Sequence, residues 1–106
     1  MSYKWPNKDS NETLDYSLDW SRWLRTGESI ISSTWYIDDA DGVKTTFTAP
    51  NIVNGLQHFG ATNSSNITTL TLAQGTVNKQ YKLYCSVTLN TNFVAERSIT
   101  ISIKER

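Results

Sequence analysis

From Thr13 to Trp20 the chain reads TLDYSLDW, with Leu14, Tyr16, Leu18 and Trp20 at every second position and Asp15, Ser17 and Asp19 between them. A period of two sorts the two sets onto opposite faces of an extended strand, whereas a helix would scatter them around its surface. A strand with one apolar face must cover that face with a second layer, so this run directs the chain toward packed sheets.

The same grammar recurs downstream. SIISSTWYI is β-branched and aromatic, and its alternation predicts Ile31, Ser33, Trp35 and Ile37 on one face, with Trp35 in the core. Asp38–Gly42 ends in Asp-Gly, a strong hairpin signal, and GVKTTFT reads as the return strand. Further strands are predicted around Gly55–Ala61, Ile67–Leu72 and Gln80–Leu89, the last with Tyr81, Leu83, Cys85, Val87 and Leu89 on one face. Glu96–Lys104 closes the series with Ile99, Ile101 and Ile103 inward. Only Ser21–Glu28 is ambiguous, between a short helical turn capped by Ser21 and a plain loop. About seven strands at spacings of roughly 8–15 residues, with no long helical segment, predict an all-β, immunoglobulin-like antiparallel sandwich. The expected organisation is an extended N-terminal arm over residues 1–12 followed by the sandwich over 13–106.

Ser and Thr make up about a quarter of the 106 residues, which suits half-exposed strands. Ten basic residues balance ten acidic ones. Nucleic-acid binding calls for a basic excess or stripe, and charge-driven membrane attachment for a basic cluster, so neither is expected. The start MSYKWPNKDSNE lacks a signal-peptide pattern, which predicts folding in a cytoplasm. The single cysteine, Cys85, excludes an internal disulfide and, within YKLYCSV, is expected to be a buried inert thiol.

Catalytic groups are scarce. His58 is the only histidine, and no base–nucleophile pair can be named around it. An EF-hand reading of Asp38-Asp39-Ala40-Asp41-Gly42 fails, because Gly42 at loop position six puts Ile37 and Thr48 at two ligand positions. Asp15 and Asp19, four apart on a strand, would stand about 13 Å from each other, too far for a glycosidase pair. The expectation is therefore no enzyme, no cofactor and no metal. The aromatics are more suggestive. Tyr3, Trp5 and Trp23 fall outside the core alternation, and such side chains in arms and loops make interface anchors. Tyr3, Lys4, Trp5, Asp15, Asp19 and Trp23 are the candidate partner-binding residues. The arm has no periodicity with which to bury its aromatics, so it is expected to order only against another subunit.

The run KDSNETLDYSLDWSRWL followed by ESIISSTW resembles the opening of a family of small tailed-phage structural proteins, some of them called fibre–tail adaptor proteins. The matching elements are Lys8, Asp9, Glu12, Leu14, Asp15, Tyr16, Leu18, Asp19, Trp20, Ile30 and Trp35. LAQGTVNKQYKL, with a Gly-Thr turn before a Tyr-led strand, and Glu96-Arg97-Ser98 are similar too, so the resemblance spans Lys8–Lys104. The chain departs at Ser10, where the family usually has Pro, and at Asn92-Phe93, where Gly-Arg is common. The resemblance implies an immunoglobulin-like virion protein present in several copies near the head–tail junction, joining the tail or portal region to fibres or other tail components. The competing expectations are a carbohydrate- or protein-binding module, with exposed Trp and Tyr stacking on sugars, and a capsid decoration protein.

Overall fold

A computed structural model describes residues 2–64 and 66–104, with the side chains of residues 2 and 3 outside the described set. The described residues form strands β1 (Ser2–Lys4), β2 (Leu14–Asp19), β3 (Ile30–Asp38), β4 (Lys44–Phe47), β5 (Ile52–Val53), β6 (Leu56–Asn63), β7 (Ile67–Gln74), β8 (Gln80–Leu89) and β9 (Val94–Ser102). Two sheets face each other, one in the order β1-β9-β8-β3-β4 and the other β2-β7-β6-β5. All seven strands expected from alternation are present, and the molecule is an all-β sandwich.

Alternation translates directly into burial. Tyr16, Leu18, Leu70 and Leu72 from one sheet meet Trp35, Ile37, Leu83, Cys85, Val87, Ile99 and Ile101 from the other in a single core. Each large apolar side chain buried there contributes roughly 1.5–3 kcal/mol. Thr68 is one of the polar residues buried alongside this core. Its hydroxyl accepts the Trp20 indole N–H at 3.0 Å and the Cys85 thiol at 3.5 Å, which makes its burial tolerable.

Two expectations are corrected and one ambiguity is resolved. Residues 3–12 carry no alternating signal, yet β1 pairs in parallel with β9, Ser2 to Ser98 through Lys4 to Thr100. Trp5, expected to wait for a partner's pocket, is only 7% exposed and belongs to the chain's own core. It stacks on Tyr16 with ring centroids 5.1 Å apart and donates its indole N–H to Ser17 O. The physical reason is that the β9 edge supplies the main-chain partners and the sandwich supplies the gap, neither of which a local pattern reveals. Second, a bulge between Ile30 and Ser32 shifts the strand phase: Ile30 is buried and Ile31, expected inward, is 58% exposed. Residues 21–28, open in the sequence between a helical turn and a loop, form hydrogen-bonded turns, with Trp23 N–H on Trp20 O and Glu28 N–H on Arg25 O.

Candidate functional site

The stretch after β1 places charge where none would be expected. Lys8 is fully buried, and its ammonium donates to Asp9 O at 2.8 Å and Gln74 O at 2.6 Å. Burial pushes its pKa down, opposed by the charges of Glu12 and Asp9. Asp9 Oδ1 accepts the Asn11 N–H, while Glu12 Oε1 accepts the Asp9 N–H and the Glu12 N–H returns to Asp9 O. This is capping-box chemistry used to close a turn. Asn7 to Glu12 is thus a hydrogen-bonded plug across one end of the sandwich. The other side of the plug depends on Gly75, whose φ of +111° and 2.8 Å clearance to Ile103 leave no room for a Cβ.

The candidate partner-binding residues divide into two groups. Lys4 is exposed on edge strand β1, and Asp15 and Asp19 are exposed on edge strand β2. The Trp5–Ser17 hydrogen bond sets these two edges on one flank. On the outer face of β2, Thr71 donates to Asp15 Oδ1, Ser17 pairs with Thr69 at 2.9 Å, and Asp19 Oδ1 accepts the Ser21 N–H. The hydrogen bond from the Ser21 backbone holds the Asp19 carboxyl below its usual value. Both carboxylates are therefore held in place, and neither joins an ion pair among the described residues. Trp5 and Trp23 belong to the second group. Trp23 is half-buried, sits edge-on against Trp20 at 5.4 Å, and carries the Arg97 guanidinium 4.7 Å above its ring. Tyr3 contributes backbone pairing, and its side chain lies outside the described residues.

Two further features were missed by sequence reasoning. On the outer face of the larger sheet, Tyr36 and Tyr84 stand directly opposite each other, with the Lys44 ammonium 4.7 and 4.8 Å from their ring centroids. The Tyr84 hydroxyl donates to Asp38 at 2.8 Å, and its pKa is pushed up to about 12, chiefly by burial. Alternation already put both tyrosines outward, but only the β3–β8 register makes them neighbours. The second feature is a cleft of about 340 Å³ on the flank opposite Lys4, between β3, β4 and β6, lined by Ser33, Trp35, Phe47, His58 and Ala61 among others. Two of its lining residues hold polar atoms shut away from solvent, Trp35 Nε1 and His58 Nδ1, with no hydrogen-bond partner.

The Asp38–Gly42 segment is a hairpin turn. Asp39 Oδ1 accepts the Asp41 and Val43 N–H groups, and Gly42 adopts φ +78°. Among the described residues, no group of three His, Cys, Asp or Glu side chains is placed to hold a metal ion, and no helix is long and apolar enough to cross a membrane.

The family model of the podophage GP4 fiber-tail adaptor protein gp77 matches residues 8–102. The chain belongs to this family. No curated protein matches it. The matched span starts at Lys8, the residue that closes the sandwich end, and runs through the last ladder positions of β9. Lys8, Asp9, Glu12 and Gly75, which carried the resemblance at the sequence level, hold the plug together. The family's sequence signature is thus in large part a signature of fold.

Proposed function

We propose that the chain is a non-enzymatic structural adaptor of the phage virion, present in several copies, joining the tail or portal region to fibres or other tail components. The match to an adaptor family over residues 8–102 carries this reading. The strand order supports its immunoglobulin-like form: β3, β8 and β9 face β2, β7 and β6, as strands C, F and G face B, E and D in that fold. Tyr81, at the start of β8, donates to Asn54 O and accepts the Thr76 N–H, which resembles a tyrosine corner.

Within this reading, Lys4, Asp15 and Asp19 form the contact surface on the β1–β2 flank. Two fixed carboxylates that join no ion pair among the described residues select a partner carrying Lys or Arg, and give register more than affinity. Trp5 and Trp23 act indirectly by holding that flank rigid. A sugar-binding module would gather several aromatics in one open site, whereas Trp5, Trp20 and Trp35 are consumed by the core. The test is a phage carrying a nonsense codon in this gene, grown without a suppressor. Particles that lack fibres, and regain them when the protein is added back, are expected; fibre-bearing particles would refute the adaptor reading.

A further inference from the structure

β9 breaks its apolar rhythm at one position. Ile99 and Ile101 fill the core from it, and Arg97 keeps their phase. It pairs with buried Cys85, and paired residues of antiparallel strands share a face, so Arg97 is directed toward the smaller sheet. A charge at an inward position is costly unless something meets it. Among the described residues, β1 covers the β9 edge only from Ser98 onward, and Arg97 lies just beyond that cover.

The guanidinium is held in place but not paired. Its central carbon lies 4.7 Å from the Trp23 ring centroid and 5.6 Å from that of Trp20, two rings that meet edge-on. Trp20 is anchored in turn by its indole N–H on the Thr68 hydroxyl. One guanidinium nitrogen, Nη1, donates to Glu96 O at 2.8 Å, a contact exposed to solvent. Arg97 has five N–H donors to offer, and among the described residues no carboxylate reaches any of them. The acids on the same elements are engaged elsewhere: Glu96 with Lys44, Asp19 with the Ser21 N–H, and Glu28 with Arg25 and Thr91.

Snorkelling across two indoles accounts for the stem of Arg97 and leaves its fork open. No other cation among the described residues is placed this way. Arg25 lies over Phe93, and Lys44 over two tyrosines, yet each has its carboxylate. Lys82 leans on Tyr84 alone, from an exposed position, and an ammonium has no fixed fork. The surroundings are tied together: Asn90 Oδ1 accepts the Ser29 N–H and its Nδ2 donates to Gly27 O, joining the β8–β9 hairpin to the loop that carries Trp23.

We propose that Arg97 receives the side-chain carboxylate of an Asp or Glu on another virion protein, at a docking surface built from residues 20–28 and the start of β9. The planar fork matches a carboxylate through two parallel hydrogen bonds, and the indoles fix its orientation before the partner arrives. Trp and Arg are the side chains that most often dominate binding at protein interfaces. Trp23 is a positioning residue here, acting through Arg97. Arg22, exposed in the same loop, joins no ion pair among the described residues and adds positive charge to the surface. A nucleic-acid backbone suits it poorly, because Asp19, Glu28 and Glu96 lie on the same elements and repel a run of phosphates. The inference rests on the adaptor reading, since it requires a partner within the particle.

Phenylglyoxal, which modifies arginine guanidinium groups, tests this on the unaltered protein. Peptide mass spectrometry should find Arg97 modified in the free chain and protected in purified particles. Equal reactivity in both, or an unreactive Arg97 in the free chain, would overturn the inference. The occupant's chemistry is read from particles containing the Arg97→Lys protein, treated with a carbodiimide that joins an amine to an adjacent carboxylate. The expected product is an amide link from position 97 to an Asp or Glu of another virion protein; no link there, or links confined to copies of this chain, would sink the proposal. Arg97→Gln should enter particles at least about tenfold less than the native protein while still folded, the scale of a lost charge-assisted hydrogen bond. Where a variant fails to fold or assemble, the phenylglyoxal footprint decides. Native-level incorporation of a folded Arg97→Gln protein would overturn this inference alone, whereas fibre-bearing particles from the nonsense phage would overturn the adaptor reading beneath it.

Discussion

His58 is 4% exposed, and burial holds its pKa below the ordinary 6.5. The folded value lies under the unfolded one, so the unfolded chain binds the proton more tightly. This contribution to stability is complete above about pH 6.5 and declines as pH falls from there toward the folded value. Urea melts at a series of pH values should show that acid slope, and His58→Gln should flatten it; an unchanged slope would assign the acid sensitivity to other groups. Gly75 makes a different single-residue demand. Its φ of +111° and the Ile103 side chain 2.8 Å from any added Cβ act together. Gly75→Ala should therefore cost about 2 kcal/mol or more from backbone strain and overpacking, measurable by chemical denaturation. A cost below about 0.5 kcal/mol, the size of an ordinary surface change, would mean that the turn relaxes freely. Neither residue's demand can be seen in the sequence. His58 read as a lone structural histidine, and its burial depends on distant strands such as β4, whose Phe47 meets its ring edge-on.

At the scale of elements, strands with one clean apolar face were legible and those held by their neighbours were not. β8 carries five alternating apolar positions, Tyr81 to Leu89, and β2, β7 and β9 shorter runs of the same period, and their registers put Leu on Leu and Ile on Leu across the ladder. β1 is short, parallel and followed by Pro6, so its evidence lies wholly in the β9 edge it occupies. The bulge at Ile31 was hidden for the same reason, since a phase slip shows only against a partner strand. The candidate site shared this split. Asp15 and Asp19 stand where alternation put them, on the outer face of β2, whereas Trp5 turned from expected anchor to core residue. The consequence is testable. Deleting residues 1–6 removes a parallel edge strand and a stacked core indole, and Trp5→Ala alone should cost roughly 3–5 kcal/mol. Denaturation midpoints of the two variants decide it. A truncated protein as stable as the full chain would return the arm to the role of a free tether.

The whole molecule concentrates its unmatched features on opposite flanks. One flank carries the fixed carboxylates of Asp15 and Asp19, which join no ion pair among the described residues, and the other a cleft between β3, β4 and β6. A protein with net charge near zero gains little from long-range steering, so any electrostatic recognition must come from such local patterns. On the proposed adaptor reading, two such flanks would suit a protein placed between two others. The surfaces can be separated experimentally. Asp15→Lys with Asp19→Lys reverses one flank's charge at exposed positions, where substitutions ordinarily change stability by about 0.5 kcal/mol or less. The expected outcome is an unchanged melting temperature together with loss of the variant from particles, read by immunoblot of purified virions. Raised salt should weaken attachment of the native protein through the same contacts, because exposed charge pairs are screened within about 8–10 Å at physiological ionic strength. A charge-reversed protein that enters particles at the native level would clear the β2 face of any role in assembly.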